Sequence, residues 1–394
     1  MSIQDDYDLI VVGSGFCGSI IARLSAEECG KHVLILERRN HIAGNMYDHL
    51  DENGFLIQDY GPHIFHTDED HIANFVRRFS EWIPFQVRYG VEIDGKYISA
   101  PFGFQAIRQM YPASKAEELI ECLRKNYRGR ESVPIFELFS HREQQLASFA
   151  NDLYEKDYRP YAAKQWNLDP SELDSSVIAR MPVILSDRVH YFDTKYEMLP
   201  KDGYTSFFER MLSHPLIDVQ LNTDACKFLN FDFEKKSVYY EDKIIHNPIV
   251  FTGTLADIFE KETLLPYRSL YFRYETMDIE EYQPVAIMTY PQTHDYIRTT
   301  EYSKFSNNTP KDKTVVAFEY PAYFQRDAVL GSEPYYPILT QENIQKNARL
   351  VEGARVFINL IPCGRLADYK YYNMDQAILR AFEVFSTIKQ CYWS

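Results

Sequence analysis

Tyr7-Asp8-Leu9-Ile10-Val11-Val12 runs straight into Gly13-Ser14-Gly15-Phe16-Cys17-Gly18, and the next apolar run, His32-Val33-Leu34-Ile35-Leu36, is closed by Glu37. This is the spacing of a strand, a glycine-rich turn and a helix start. Gly13 allows the tight turn, Gly15 lets the backbone approach a pyrophosphate, and Gly18 lets helix and strand pack closely. The helix start offers unpaired N–H groups and a partial positive charge to phosphate oxygens. Ile20, Ile21 and Leu24 supply its apolar face. Glu37 is placed to accept both hydroxyls of an adenosine ribose. The stretch therefore predicts a βαβ dinucleotide-binding unit, and alone it leaves NAD open beside FAD.

The rest of the chain bounds the reading. Its 394 residues suffice for two or three domains with sizeable cores. A formal charge of −15 argues against a nucleic-acid partner, so an anionic substrate must be met by locally placed arginines. Six cysteines without paired CxxC spacing predict neither a zinc site nor a disulfide framework, and so a reducing cytoplasm. No His, Cys or acid cluster has metal spacing. The polar start is not a signal peptide, and no apolar run approaches the ~20 residues of a membrane span. Among the 30 tyrosines several stand in polar surroundings near arginines, as in a nucleotide-sugar pocket.

Apolar spacing predicts a helix from about Glu69 to Phe79, short strands at 87–93 and 97–99, and a mostly helical block over 104–169. Tyr127 to Val133, charged and glycine-containing, reads as a mobile loop. A helix at 204–212, strands at 217–220 and 249–251, a strand-rich stretch over 269–321 and a helix at 374–385 follow.

Longer blocks carry a family resemblance. Glu37-Arg38-Arg39-Asn40-His41-Ile42-Ala43-Gly44-Asn45 and Tyr60-Gly61-Pro62-His63-Ile64-Phe65-His66-Thr67 are the first. Tyr161 to Trp166, Arg180 to Val183, Glu319-Tyr320-Pro321, Glu333 to Pro337 and Gly364 to Tyr372 continue them in order. The chain resembles the bacterial UDP-galactopyranose mutases over nearly its whole length. The resemblance implies an α/β (α+β) fold, with an FAD-binding Rossmann-like domain, a helical insertion and a twisted antiparallel sheet domain. We place the FAD domain at 1–80, 203–265 and 350–394, the mainly helical insertion at 81–170, and the substrate sheet at 171–202 and 266–349. It implies an isomerase in which nitrogen 5 of reduced FAD attacks the anomeric carbon of a nucleoside-diphosphate sugar. The sugar–flavin adduct opens to an iminium, recloses through another hydroxyl and is recaptured by the diphosphate, with no net redox change.

By the same resemblance, Arg180 and Arg298 hold the diphosphate where negative charge accumulates, and His66 lies beside flavin and sugar. Tyr161 and Trp166 flank the nucleotide, and Tyr191, Tyr320 and Tyr371 line the cleft. Gly13, Gly15, Phe16, Gly18, Glu37, Arg38, Asn45, His63, Ile64, Arg365 and Met374 fall to FAD. Val87, Asn373, Ile184 and Met288-Thr289 depart from the family pattern: Val87 stands where the sugar pocket carries Asn or His, Asn373 for an Asp, Ile184 for an Arg. Ala43 replaces a glycine. UDP-galactose is the first expectation for the substrate, with dTDP-fucose or UDP-N-acetylgalactosamine as alternatives, and an amine-oxidase-like FAD oxidoreductase as the reading of another class. A reductant such as NAD(P)H and a homodimer are further expectations of the resemblance.

Overall fold

The protein was analysed as a computed structural model that describes residues 6–169, 172, 182–259, 265–306, 310–325 and 332–393. The opening stretch forms what its pattern predicts: strand Leu9–Val12, helix Phe16–Cys29 and strand Val33–Leu36. Both strands are almost continuously apolar and buried, as expected of strands covered on both faces of a parallel sheet. Leu9 pairs with Val33 and Val12 with Leu36, all in parallel register. Strand Ile217–Gln220 flanks Val33–Leu36, and Ile249–Phe251 then Leu360–Pro362 extend the other side, giving five parallel strands. The Leu9–Val12 strand is thus central, so the glycine turn leaves from the carboxyl edge where ligands bind in open α/β sheets.

The last helix, Met374–Tyr392, packs along Phe16–Cys29. Ile378, Ala381, Val384, Phe385 and Ile388 share one buried cluster with Ile20, Ile21 and Leu24. The apolar positions recur every three or four residues, which explains why a segment roughly 350 residues away in sequence returns to the first helix. That helix runs seven residues beyond the expected Phe385, on the same buried stripe.

A seven-stranded sheet stands beside this domain, in the order Tyr336–Pro337, Tyr267–Met277, Thr314–Tyr323, Arg298–Glu301, Ile287–Thr289, Tyr89–Ile93 and Lys96–Ala100. It is antiparallel except where Ile287–Thr289 runs parallel to Tyr89–Ile93. The strands at 89–100 lie inside the segment expected to be the helical insertion. They belong to the large sheet by backbone pairing with Ile287–Thr289, while Val91, Ile93 and Ile98 send their side chains into the core of the helical block. Helical packing starts only at Phe104 and continues through Trp166, around Leu119, Leu123, Leu138, Leu146, Phe149 and Leu153. A third sheet joins Phe65–Thr67, Tyr196–Pro200 and Trp82–Pro84, and fixes the segment that carries His66.

The stretch expected as a mobile loop ends as a strand: Ser132 and Val133 pair with Ile184 and Val183, and Leu185 N–H donates to Glu131 O at 2.8 Å. No helix among the described residues is long and apolar enough to cross a membrane.

Candidate active site

The glycine turn opens onto a chamber of about 850 Å³. Gly13, Gly15, Phe16, Gly18, Glu37, Arg38, Asn45, Arg365 and Met374 line it, so nine of the expected cofactor residues meet there. Gly13 has φ +94°, a left-handed conformation that an L side chain rarely adopts. A second turn, Ala43-Gly44, crosses the loop so closely that a Cβ on Gly44 would sit 3.0 Å from Gly15 Cα. Ala43 adopts φ +75°, a left-handed conformation that favours glycine. Glu37 is 6% exposed, and its carboxylate accepts from Ser14 N–H at 2.9 Å, Ser14 Oγ at 2.6 Å and Arg39 N–H at 2.9 Å. These bonds lock the acid at the end of its strand, beside the turn.

Arg39 stacks over the Tyr60 ring at 4.3 Å and pairs with Glu333 at 2.8 Å, while its Nη1 is buried with no acceptor among the described residues. A buried donor left without a partner costs free energy that a ligand acceptor would recover. Helix N-terminus, left-handed glycine, fixed acid and spare guanidinium donor together fit a dinucleotide.

A second chamber of about 680 Å³ lies between the large sheet, the helical block and the last helix. His63, Ile64, His66, Tyr161, Tyr191, Arg298, Arg365, Tyr371 and Asn373 all line it. Arg298 heads an edge of strand Arg298–Glu301 and faces Glu319 directly across the ladder. Its Nε and Nη2 donate to Glu319 Oε2 at 2.8 and 2.5 Å; the side chains are 15% and 5% exposed. No described residue accepts from Nη1. The adjacent carboxylate keeps the guanidinium charged in spite of burial, so it stays a permanent cation in the wall. Tyr336 and Tyr371 stack nearly parallel at 5.3 Å, and Arg365 lies 5.9 Å from both rings. Burial pushes the Tyr161 and Tyr336 phenols up, so both remain O–H donors throughout the accessible pH range. His66 stacks on Phe192 at 3.8 Å, and Tyr191 lies over Tyr89 at 4.2 Å.

The two chambers share Arg365, Tyr372, Asn373 and Met374. Asn373 starts the last helix in a capping box, its N–H donating to Gln376 Oε1 at 2.9 Å. The positive end of a 19-residue helix therefore points at the place where the chambers meet. A cofactor entering from the glycine turn would present its far end to the second chamber there.

His63 lines the second chamber, within the field of Arg365. Its Nδ1 lies 2.7 Å from Gly61 O, an acceptor only, so the ring is the Nδ1–H tautomer with Nε2 free to accept. Burial first, then the charges of Arg365 and Arg298, pull its pKa down from 6.5 to about 3. The depressed value means that stability is full above the ordinary histidine pKa and falls as pH drops from about 6.5 toward 3. We expect nitrogen-detected NMR to show His63 neutral, in that one tautomer, from pH 8 to pH 5. A titration near pH 6.5 would contradict this environment.

Three expected residues lie elsewhere. Val87 is fully buried in the core beneath the cofactor domain, and its carbonyl accepts from Tyr191 N–H at 2.9 Å. It offers no side-chain surface to the chamber, so its apolar character reflects packing and not the loss of a sugar contact. Tyr320 follows Glu319 on the same strand, and alternation turns it to the opposite face, beside Tyr271 and Tyr296. Trp166 is five residues from Tyr161, roughly 140° around the helix. It packs with Ala162 and Ile338 and meets Tyr336 edge-on at 5.8 Å, behind the chamber wall. Arg180 and Met181 lie outside the described residues. Of the departures, Ile184, Thr289 and Asn373 do line the chamber, while Met288 is buried with Val285 and Tyr290.

The structure also adds residues that the sequence reading left unassigned: Glu319, Tyr336, Tyr89, Phe192, Arg188 and Asp157. The first two stood in quoted blocks, but only the register between their strands shows that Glu319 faces Arg298.

Fold and site together define a dinucleotide-binding protein whose cofactor chamber opens onto a second, arginine- and tyrosine-walled chamber suited to a phosphorylated substrate. Comparison with known proteins places it further. The family described as UDP-galactopyranose mutase matches residues 156–371, and an NAD(P)-binding Rossmann-like domain family matches residues 11–79. The chain is 32% identical over 380 residues to the UDP-galactopyranose mutase of Mycoplasma pneumoniae, covering 95% of this chain and 94% of that one. It is also 32% identical over 378 residues to a dTDP-fucopyranose mutase of Escherichia coli, covering 95% and 96%. Among solved structures, reduced UDP-galactopyranose mutase superimposes with a TM-score of 0.71 at 15% identity, over 98% of this chain and 95% of that one. Putrescine oxidase, at 0.56 and 10% identity over 98% and 99%, shares the fold alone. This chain belongs to the UDP-galactopyranose mutase family.

Proposed function

We propose that this protein interconverts the pyranose and furanose forms of a nucleoside-diphosphate hexose, with UDP-galactose as substrate and FAD as cofactor. The observation that carries the reading is the junction at Arg365, Asn373 and Met374, which brings a dinucleotide chamber and a diphosphate-ready chamber to one point. Family membership over 95% of the chain agrees with it. The chemistry supplied by bound, reduced FAD is nucleophilic attack on the anomeric carbon.

The chain's own residues bind, orient and neutralise. Arg298 meets the diphosphate, whose charge grows as the anomeric bond breaks. Tyr161 and Tyr336, whose phenols burial keeps protonated, donate to its oxygens together with Tyr371. His66 and Phe192 form a flat side against which the hexose rests. His63 keeps an unprotonated Nε2 in the wall of the second chamber. The overall change moves the ring bond from one hydroxyl oxygen to another with a compensating proton shift, so no electrons are consumed. Reduction is needed once, and we propose a reduced nicotinamide nucleotide as its source and the cytoplasm as the location. No disulfide joins the cysteines of the described residues, which agrees with a reducing compartment.

A specific observation favours a second substrate: the match to the dTDP-fucopyranose mutase equals that to the UDP-galactopyranose mutase in identity and in the share of this chain covered. Incubating dithionite-reduced enzyme with UDP-galactofuranose and, separately, with dTDP-fucopyranose, followed by chromatography of the nucleotide sugars, tests both. We expect conversion of UDP-galactofuranose that stops when the flavin is reoxidised. Turnover of dTDP-fucopyranose alone replaces the first reading with the second, and oxidation of the sugar removes both.

A further inference from the structure

Helix Arg159–Trp166 brings Tyr161 to the substrate chamber, and its last turn carries Lys164. Arg298 belongs to a different element, the hairpin of strands Ile287–Thr289 and Arg298–Glu301, whose last ladder pair is Thr289 with Arg298. The turn beyond that pair spans residues 290–297 and is closed by Tyr290 N–H donating to Ile297 O at 2.9 Å. The Lys164 ammonium is inserted into this turn. It donates to Tyr290 O, to Thr293 O at 2.6 Å, to His294 O at 3.1 Å and to Tyr296 O at 3.5 Å. Three N–H donors are thus shared among four main-chain carbonyls beyond the ladder.

An ammonium is a compact point charge on a flexible stem, so it suits a ring of carbonyls better than a planar guanidinium does. Its charge-assisted bonds are stronger than neutral ones, and they hold a turn that the chain does not favour by itself. His294 adopts φ +58°, the left-handed region that a residue with a Cβ rarely enters. The joint is reciprocal. Arg268, buried on strand Tyr267–Met277, donates from Nε to Gln165 O at 2.7 Å, on the residue after Lys164. Helix and sheet are therefore locked by one cation in each direction, both ending on main-chain carbonyls. Among the described residues that line the chamber Lys164 is absent, so it does not meet a ligand there. Its effect on the site passes through the strand that starts at Arg298, two residues after Tyr296. Glu319 already fixes the guanidinium from one side, and Ile297 N–H donates to Glu319 O at 2.8 Å. The turn is the remaining side from which the start of that strand can shift. A displacement of about 1 Å in a positioned group can cost about 10²-fold in rate.

We propose that Lys164 is a positioning residue that acts through Arg298: by filling the hairpin turn it fixes where the strand begins, and so where the guanidinium stands in the chamber. The inference rests on the nucleotide-sugar reading above, in which Arg298 meets the diphosphate. Replacing Lys164 leaves the hairpin formed, because other ties remain. Thr293 Oγ1 donates to Glu92 Oε1 at 2.7 Å, and Asp94 N–H donates to Gln292 Oε1 at 2.8 Å. What is lost is the precision of the turn, and with it that of Arg298.

The test is a double-mutant cycle on FAD-loaded, dithionite-reduced enzyme turning over UDP-galactofuranose, with rates corrected for bound FAD. Lys164→Met keeps the length of the side chain and removes its charge and donors. It lowers kcat about tenfold and leaves KM within about twofold, because the charge that Arg298 meets is largest as the anomeric bond breaks. Arg298→Gln supplies the second background: its amide still donates to Glu319, but no cation is left to position. There Lys164→Met changes kcat by less than about twofold. Should Lys164→Met not yield folded enzyme, Lys164→Gln, which keeps an amide donor toward the turn, takes its place in the same cycle. Equal losses in both backgrounds overturn the proposal, since a purely structural Lys164, or one acting on the diphosphate by its own charge, would give them. Wild-type kcat in Lys164→Met overturns it as well. A wild-type enzyme that converts neither UDP-galactofuranose nor dTDP-fucopyranose removes the nucleotide-sugar reading and this inference with it, whereas wild-type turnover with equal losses removes only the role of Lys164.

Discussion

Arg298→Ala lowers kcat by about 10²- to 10³-fold, the usual consequence of removing one preorganised charge from a developing anion. The residue is held at the start of its strand, facing Glu319 across the ladder, and two of its nitrogens are already bonded to that carboxylate. This geometry separates the two jobs of the guanidinium. One edge is anchored in the sheet, and the remaining nitrogen is free for the substrate without any reorganisation of the wall. The same anchoring makes the substitution costly to the fold. Alanine strands a carboxylate that is 5% exposed, at a cost of about 3–5 kcal/mol for breaking a buried pair from one side. Arg298→Lys distinguishes the contributions. It keeps the charge opposite Glu319 and recovers most of the stability, but loses the fork that holds both partners, so its kcat stays well below wild type. Thermal melts, FAD content and steady-state rates on reduced enzyme report the three quantities. Wild-type kcat in Arg298→Ala, with flavin bound, would remove the residue from the proposed mechanism.

Much of this was legible in the sequence, and the reason differs from part to part. The nucleotide-binding sheet was readable because local signals coincide there: strand, left-handed glycine, helix and closing acid fall within Tyr7 to Glu37. Residues on the same short segment, such as His63 and His66, were placed together because the chain brings them together. Legibility ended where a face had to be chosen. Tyr320 and Glu319 are neighbours in sequence, and only strand register decides that Glu319 faces Arg298 while Tyr320 does not. Val87 looked like a substrate contact because its sequence position was compared, yet burial in the cofactor-side core is a tertiary fact. Trp166 was carried along with Tyr161 for the same reason, although five residues of helix separate their directions. The strands at 89–100 were read as part of a helical insertion because their partner, Ile287–Thr289, lies nearly two hundred residues away in the chain. Asp157 carried no sequence signal at all: an acid two residues before a proline-marked helix turn reads as surface until the π-helical turn directs it inward.

Gly18→Ala abolishes retention of FAD, and it does so through the backbone. A Cβ built on Gly18 would lie 2.0 Å from the carbonyl oxygen of Gly13 and 3.0 Å from Val11 Cγ1. The first contact is with main chain, so no side-chain rotation relieves it, and the helix must retreat from the strand by about an ångström. Overpacking of this kind costs about 1–3 kcal/mol by itself. The larger effect follows from what moves. The helix N-terminus and the Gly13–Gly15 turn are the parts that meet the pyrophosphate, and Gly15 is already pinned by Gly44 from the other side. Shifting one against the other opens the cradle. Loss of bound cofactor then removes its own contribution to stability, about 2.7 kcal/mol for a ligand present at a hundred times its Kd. Gly30→Ala is the matching control. Gly30 ends the same helix at φ +62° with nothing within 4 Å of its Cβ position, so alanine there meets only the left-handed penalty of about 1–2 kcal/mol and leaves the chamber untouched. The flavin-to-protein absorbance ratio after purification, read beside the melting temperature, separates the two variants. Gly18→Ala should emerge colourless and destabilised, Gly30→Ala yellow and destabilised. A yellow Gly18→Ala with wild-type melting would mean that the close approach of strand and helix is not what holds the dinucleotide.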